Sequence, residues 1–113
     1  MRRADWLVIQ LLSSLLLAAA PQEQVIQVTA ERFKFTPSVI QLKVGVPVVL
    51  EITSTDRRHG FQVPDLKIDE NIEPGKVTRI RVVPDKAGTW DFHCSIFCGS
   101  GHEEMAGQIV VSP

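Results

Sequence analysis

The chain has 113 residues, enough for one small domain. Its composition is that of an ordinary globular protein, with 12 basic and 13 acidic side chains and a formal charge of −1. That balance supplies no basic patch or stripe and so excludes an electrostatic case for a nucleic-acid partner.

The N-terminus stands apart. Met1-Arg2-Arg3 is basic, Trp6 to Ala20 is mostly apolar, and Ala18-Ala19-Ala20 ends the run in small residues. This is the pattern of an export signal. The run is shorter than the ~20 residues a spanning helix needs, and Gln10, Ser13 and Ser14 dilute it. Pro21 would follow the scissile bond, where proline obstructs proteolysis, so a retained short anchor helix stays open beside a cleaved signal peptide. A buried N-terminal helix is the third reading. The expected organisation is residues 1–20 as signal peptide or membrane anchor and residues 21–113 as the folded domain. That domain would be exported, to the periplasm or the outer face of the cytoplasmic membrane.

From Gln24 onward the signals are those of strands. Val25 to Thr29 is short and β-branched, and Phe33-Lys34-Phe35 alternates up to Thr36-Pro37. Ile40, Leu42 and Val44 alternate with polar residues until Gly45, and Val48, Leu50 and Ile52 repeat the period of two. A polar loop, Ser54 to Arg58, leads into His59-Gly60-Phe61-Gln62-Val63-Pro64. Residues 65–75 read as an acidic loop ending at Pro74-Gly75. Ile80 and Val82 mark another strand, and Pro84 to Gly88 a turn. Trp90, Phe92 and Cys94 then share one strand face, with Asp91 and His93 on the other. Gln108 to Val111 closes the chain. Seven or eight short strands without a convincing helix predict an all-β sandwich or barrel.

Between the last two strands lies Cys94-Ser95-Ile96-Phe97-Cys98-Gly99-Ser100-Gly101-His102-Glu103-Glu104-Met105. The spacing Cys-x3-Cys-x3-His-x2-Met puts two thiols, an imidazole and a thioether in one short stretch. Thiolate and thioether are soft ligands that favour copper over hard cations. A disulfide across three residues would close too small a loop to stabilise much. His59 is the fifth candidate, since loops at one end of a sandwich bring distant residues together.

Three readings of this set stand. A single blue copper would use His59, one cysteine, His102 and axial Met105, leaving one thiol idle. A structural zinc would use Cys94, Cys98, His59 and His102, leaving Met105 idle. A dinuclear copper centre bridged by both thiolates gives each ion one histidine and one weak donor: Met105 for one, and the backbone carbonyl of Ile96 for the other. Only the dinuclear reading employs every candidate. Its charge stays small in both redox states, which suits outer-sphere electron transfer, and it leaves no vacant position for a substrate.

Residues 94–105, with Gly107 and Ile109, resemble the CuA-binding motif of cytochrome c oxidase subunit II and the CuA domain of nitrous oxide reductase. The segment Asp56 to Pro64 resembles the upstream histidine segment of the same family, and the similarity covers most of residues 25–112. The resemblance implies a cupredoxin-like Greek-key β-sandwich holding a mixed-valence dicopper centre. By motif match, Cys94 and Cys98 would bridge two copper ions and His59 and His102 would ligate them. Met105 would be axial and Ile96 would lend its carbonyl. The implied role is to accept electrons from a cytochrome c and pass them to a haem-containing oxidase subunit, with no catalysis by the isolated chain. Subunit II commonly has a glutamate where this chain has Ile96, and usually a two-helix membrane hairpin where this chain offers one short helix.

Other readings remain beside this one. The same ligands would serve an exported mononuclear copper carrier, and Cys94 with Cys98 would serve a structural site. His93 faces away from Cys94 and is expected not to ligate. Asp65, Asp69, Glu70 and Glu73, with Glu103 and Glu104, are expected to be solvated loop residues or an acidic rim that steers a basic cytochrome.

Overall fold

The computed structural model describes residues 23–113, so the expected signal or anchor, residues 1–20, lies outside the described residues. Nine strands follow in chain order: β1 (Gln24–Glu31), β2 (Lys34–Thr36), β3 (Val39–Lys43), β4 (Val48–Ser54), β5 (His59–Val63), β6 (Ile68–Ile72), β7 (Thr78–Val82), β8 (Gly88–His93) and β9 (Ala106–Ser112). They form two sheets, one in the order β2-β1-β4-β7 and one in the order β3-β9-β8-β5-β6. The all-β sandwich read from the alternation is the fold the chain adopts. Among the described residues no helix is long and apolar enough to cross a membrane.

The period of two explains the layering. In β4 the alternate residues Val48, Leu50 and Ile52 are fully buried, while Val49, Glu51 and Thr53 are only partly covered. Successive side chains of a strand point to opposite faces, so one face of β4 builds the core. Each such residue, fully buried, contributes ~1.5–3 kcal/mol. β1 runs parallel to β4 from Gln24↔Val48 to Ala30↔Ser54, and β3 runs parallel to β9. These parallel pairs join segments distant in sequence, and they fix which loops meet at each end of the sandwich.

An aromatic trio joins the sheets. Phe35 of β2 meets Phe61 of β5 edge-on at 5.8 Å and Phe92 of β8 edge-on at 5.2 Å, and Phe61 and Phe92 lie 4.9 Å apart. Such pairs add about 0.5–1.5 kcal/mol each beyond burial. Strand alternation puts Phe61 on the face of His59, and Phe92 on the face of Cys94. The trio is thus the floor beneath both candidate segments.

Two expectations need correction. Residues 65–75 are not simply a loop: β6 pairs antiparallel with β5 from His59↔Ile72 to Val63↔Ile68. It was hidden because it is an edge strand of polar sequence in which only Ile72 is buried. The strand through Ile40 and Leu42 also ends before Val44, which is exposed beside the turn at Gly45 (φ 77°).

Candidate metal centre

One loop and one strand start make the site. His59 is the first residue of β5, carried in by the polar loop 55–58. Residues 94–105 connect β8 to β9 and are closed at the base by Cys94 N–H donating to the Met105 carbonyl at 3.0 Å. Within the loop a 3-10 turn, His102–Glu104, is held by His102 N–H to the Gly99 carbonyl (3.2 Å) and Met105 N–H to the His102 carbonyl (3.2 Å). These short-range bonds fold Cys98, His102 and Met105 back over Cys94.

The donor atoms form a chain. His59 Nδ1 lies 3.9 Å from Cys94 Sγ, the two sulfurs are 3.8 Å apart, and Cys98 Sγ is 3.6 Å from His102 Nδ1. Met105 Sδ lies 3.8 Å from Cys98 Sγ, and the Ile96 carbonyl oxygen is 3.1 Å from Cys94 Sγ. Each sulfur therefore has one imidazole and one weaker donor beside it. Nitrogen and sulfur ligands sit about 2.0–2.3 Å from an ion, so two donors sharing one lie roughly 3.3–3.8 Å apart. The sulfur–sulfur, Cys98–His102 and Cys98–Met105 separations fall in that range, the His59–Cys94 separation lies just above it and the Ile96–Cys94 separation just below it. His59, Cys94 and Cys98 offer ligand atoms all within 4.8 Å of one another, a group that His102 does not join. His59 lies beside the pair, within 4.8 Å of both sulfurs, and His102 lies next to Cys98.

Burial keeps the site dry. His59, Cys98 and Met105 are fully buried, Cys94 nearly so, and both cysteines are free thiols. His102 is partly exposed, and Phe97, 72% exposed, leans over it at 5.5 Å between ring centres. Gly60 allows the loop to lie against β5. A Cβ there would collide with the Ser95 hydroxyl and come within 2.9 Å of the Ser95 nitrogen and 3.0 Å of the Ile96 nitrogen. The Gly60 N–H donates to Cys94 Sγ at 3.4 Å.

Two titratable groups are displaced. Burial pushes the Cys98 thiol up to about 11, helped by the hydrogen bond and the charge of Cys94. Without a metal this thiol holds its proton at neutral pH, so an ion that binds here must displace it. Asp56 moves the other way. Burial works against its ionised form, but the N–H of Arg32, the His59 ring and the N–H of Arg57 hold the carboxyl well below the usual carboxylate range. Its Oδ1 lies 2.7 Å from His59 Nε2. A buried imidazole costs free energy unless it is hydrogen-bonded. Asp56 satisfies Nε2 and leaves Nδ1 facing the sulfur.

Every ligand candidate read from the sequence is thus in the cluster: His59, Cys94, Ile96 through its carbonyl, Cys98, His102 and Met105. His93 is exposed on the far face of β8, as strand alternation requires. The acidic segments are partly engaged, since Asp69 accepts from Ser95 Oγ at 3.1 Å and Glu73 pairs with Arg58 at 2.9 Å. Glu103 and Glu104 are exposed on the 3-10 turn that begins at His102. Asp56, the partner of His59, is a site residue that the sequence alone did not single out. Its signal was a carboxylate three positions before a candidate histidine, in one polar loop.

Comparison with known proteins places this architecture. The family model described as a cupredoxin-like domain matches residues 5–111. Cytochrome c oxidase subunit 2 of Thermus thermophilus is 35% identical over 91 residues, which is 80% of this chain and 67% of that one. Nitrous-oxide reductase of Stutzerimonas stutzeri is 36% identical over 76 residues, 64% of this chain but only 12% of that one. Among solved structures, the periplasmic domain of subunit II of cytochrome oxidase from Bradyrhizobium japonicum superposes with a TM-score of 0.74 at 18% identity. That match covers 83% of this chain and 88% of that one.

Proposed function

This chain belongs to the cupredoxin-like domain family, and on that premise we propose that it is a dinuclear-copper electron-transfer domain of the cytochrome c oxidase subunit II type. The observation that carries the reading is the sulfur pair, 3.8 Å apart, with a different histidine Nδ1 beside each sulfur at 3.9 and 3.6 Å. A single tetrahedral ion would need both imidazoles near one point. Two ions held by both thiolates would take one imidazole each, and His102 stands outside the 4.8 Å group that His59 forms with the two sulfurs.

On this reading Cys94 and Cys98 would hold both ions, His59 and His102 would each take one, and Met105 and the Ile96 carbonyl would be weaker donors. Copper bound there would supply one-electron redox chemistry. The protein's part is to hold a fixed set of donors and to keep water away. The buried side chains do both: His59 is fixed through Asp56, Cys94 through the Gly60 N–H, and Met105 through its place in the core. A site that does not rearrange suits transfer of an electron between partners. His102 is the more exposed of the two histidines, and with Phe97 it is the proposed contact with a redox partner.

The proposed donor is a cytochrome c-like protein and the proposed acceptor a haem-containing oxidase subunit. The proposed setting is the exported side of the membrane, supported by the apolar N-terminal segment and by likeness to a domain described as periplasmic. The test is copper content with an EPR spectrum of the partly oxidised protein. Two coppers per chain, with hyperfine structure from one electron shared by two equivalent nuclei, is the expected result. One copper with the pattern of a single nucleus would overturn it in favour of a mononuclear site or copper carrier.

A further inference from the structure

We propose that the two residues between β1 and β2, Arg32 and Phe33, are positioning residues that hold the two histidine-bearing segments, one each. The inference rests on the metal-site reading for its consequence but on the protein's own contacts for its geometry.

The upstream half is held by a relay. The Arg32 N–H donates to Asp56 Oδ2 at 2.7 Å, and Oδ1 of the same carboxylate lies 2.7 Å from His59 Nε2. Arg57 N–H adds a second backbone donor at 2.6 Å, and Thr55 N–H straps the loop to the Ala30 carbonyl at 3.1 Å. A carboxylate fixed at both oxygens sets the rotation of the His59 ring. It also keeps the proton on Nε2, so that the Nδ1 lone pair points at the sulfurs. Partners of this kind typically matter 10–100-fold in metal affinity.

The downstream half is held by packing. The Phe33 ring lies across the backbone of Gly99 and Gly101. A Cβ on Gly99 would come within 2.9 Å of its Cε1 and Cζ, and one on Gly101 would collide with its Cδ2 and Cγ. Gly99 (φ 140°) supplies the carbonyl that receives the His102 N–H, and Gly101 is the residue before His102. The ring therefore presses on the two peptide units that aim the second imidazole. Phe33 is only partly buried, packed against the edge of the core. It supplies no ligand atom, yet it touches the loop at the two positions where a side chain of the loop's own would stand in its way.

The test uses the full chain. Ring nitrogen and carbon-bound proton signals of His59 and His102 are recorded by NMR on the metal-free protein, and Cu(I) affinity is measured by chelator competition. Asp56→Ala is expected to disturb the His59 ring and its tautomer, to leave His102 unchanged, and to lower affinity about 10–100-fold. Asp56→Asn keeps one acceptor and should fall between Asp56→Ala and wild type. Phe33→Ala is expected to do the reverse, shifting or broadening His102 while His59 stays as in wild type. If Phe33→Ala does not fold, Phe33→Leu carries the comparison, with a smaller change confined to His102. Wild-type His102 signals in a folded Phe33 variant, or equal disturbance of both rings by either substitution, would overturn the proposal. Copper stoichiometry of the wild type is read separately, so a mononuclear result would sink the dicopper reading without deciding this one.

Discussion

Cys94 and Cys98 hold their sulfur atoms 3.8 Å apart in the buried interior, four residues apart in sequence, as free thiols. The spacing of three residues lets the loop turn so that both sulfurs face one space, and neither is spent on a disulfide. The proposed electron-transfer function depends on that pair acting as one unit.

Cys98→Ser should therefore abolish the shared-electron centre rather than merely weaken it. Cys98 neighbours Cys94, His102 and Met105, so a hydroxyl there removes the common ligand of the downstream half. Copper content is expected to fall to one per chain or less, with an EPR pattern of a single nucleus. A surviving spectrum of one electron on two nuclei would sink the bridging role.

Met105→Leu should leave copper bound. Met105 is fully buried, and Leu is close in volume, so the stability cost is expected to stay below ~1.5 kcal/mol in urea unfolding. The thioether is a weak donor on the proposed reading, so its loss shifts the reduction potential and spectrum without emptying the site. Loss of both coppers from a folded Met105→Leu protein would show that Met105 is a structural ligand instead.

Gly60→Ala tests the close approach of the ligand loop to β5. The added methyl would collide with the Ser95 hydroxyl and crowd the backbone nitrogens of Ser95 and Ile96, just after Cys94. Overpacking of this kind costs about 1–3 kcal/mol, measurable by urea unfolding of the metal-free protein. Because the strain falls beside Cys94, copper affinity should drop as well. Unchanged stability and affinity would mean that the loop gives way freely.

The raised Cys98 thiol predicts two pH effects of opposite sign. In the metal-free protein, a thiol raised from 9.0 to about 11 favours the fold while protonated. That contribution is fully present below pH 9.0 and is lost as pH rises through about 11. Chemical unfolding across that window should show falling stability, and Cys98→Ser should remove the part due to this group. Metal binding goes the other way, because the ion must displace the proton. Apparent copper affinity should rise by about tenfold per pH unit for each proton released, and calorimetry in buffers of different ionisation enthalpy counts those protons.

Local patterning alone names the sandwich and most of the candidate ligands. The period of two in segments such as Val48 to Ile52 names the buried face directly, because side-chain direction in a strand is a local property. Cys94, Cys98, His102 and Met105 were legible for a similar reason: one short loop carries them, and the spacing alone limits how far apart they can be. How segments distant in sequence meet follows instead from the packing of the sheets. That His59 ends 3.9 Å from Cys94, that β6 forms an edge, and that Arg32 reaches Asp56 while Phe33 covers Gly99 and Gly101 all depend on the pairing of β5 with β6 and β8, and of β1 with β2 and β4. Those pairings are set by the register of whole sheets packing on a shared core. Asp56 looks like any loop carboxylate until that register brings His59 and the Arg32 amide to its two oxygens.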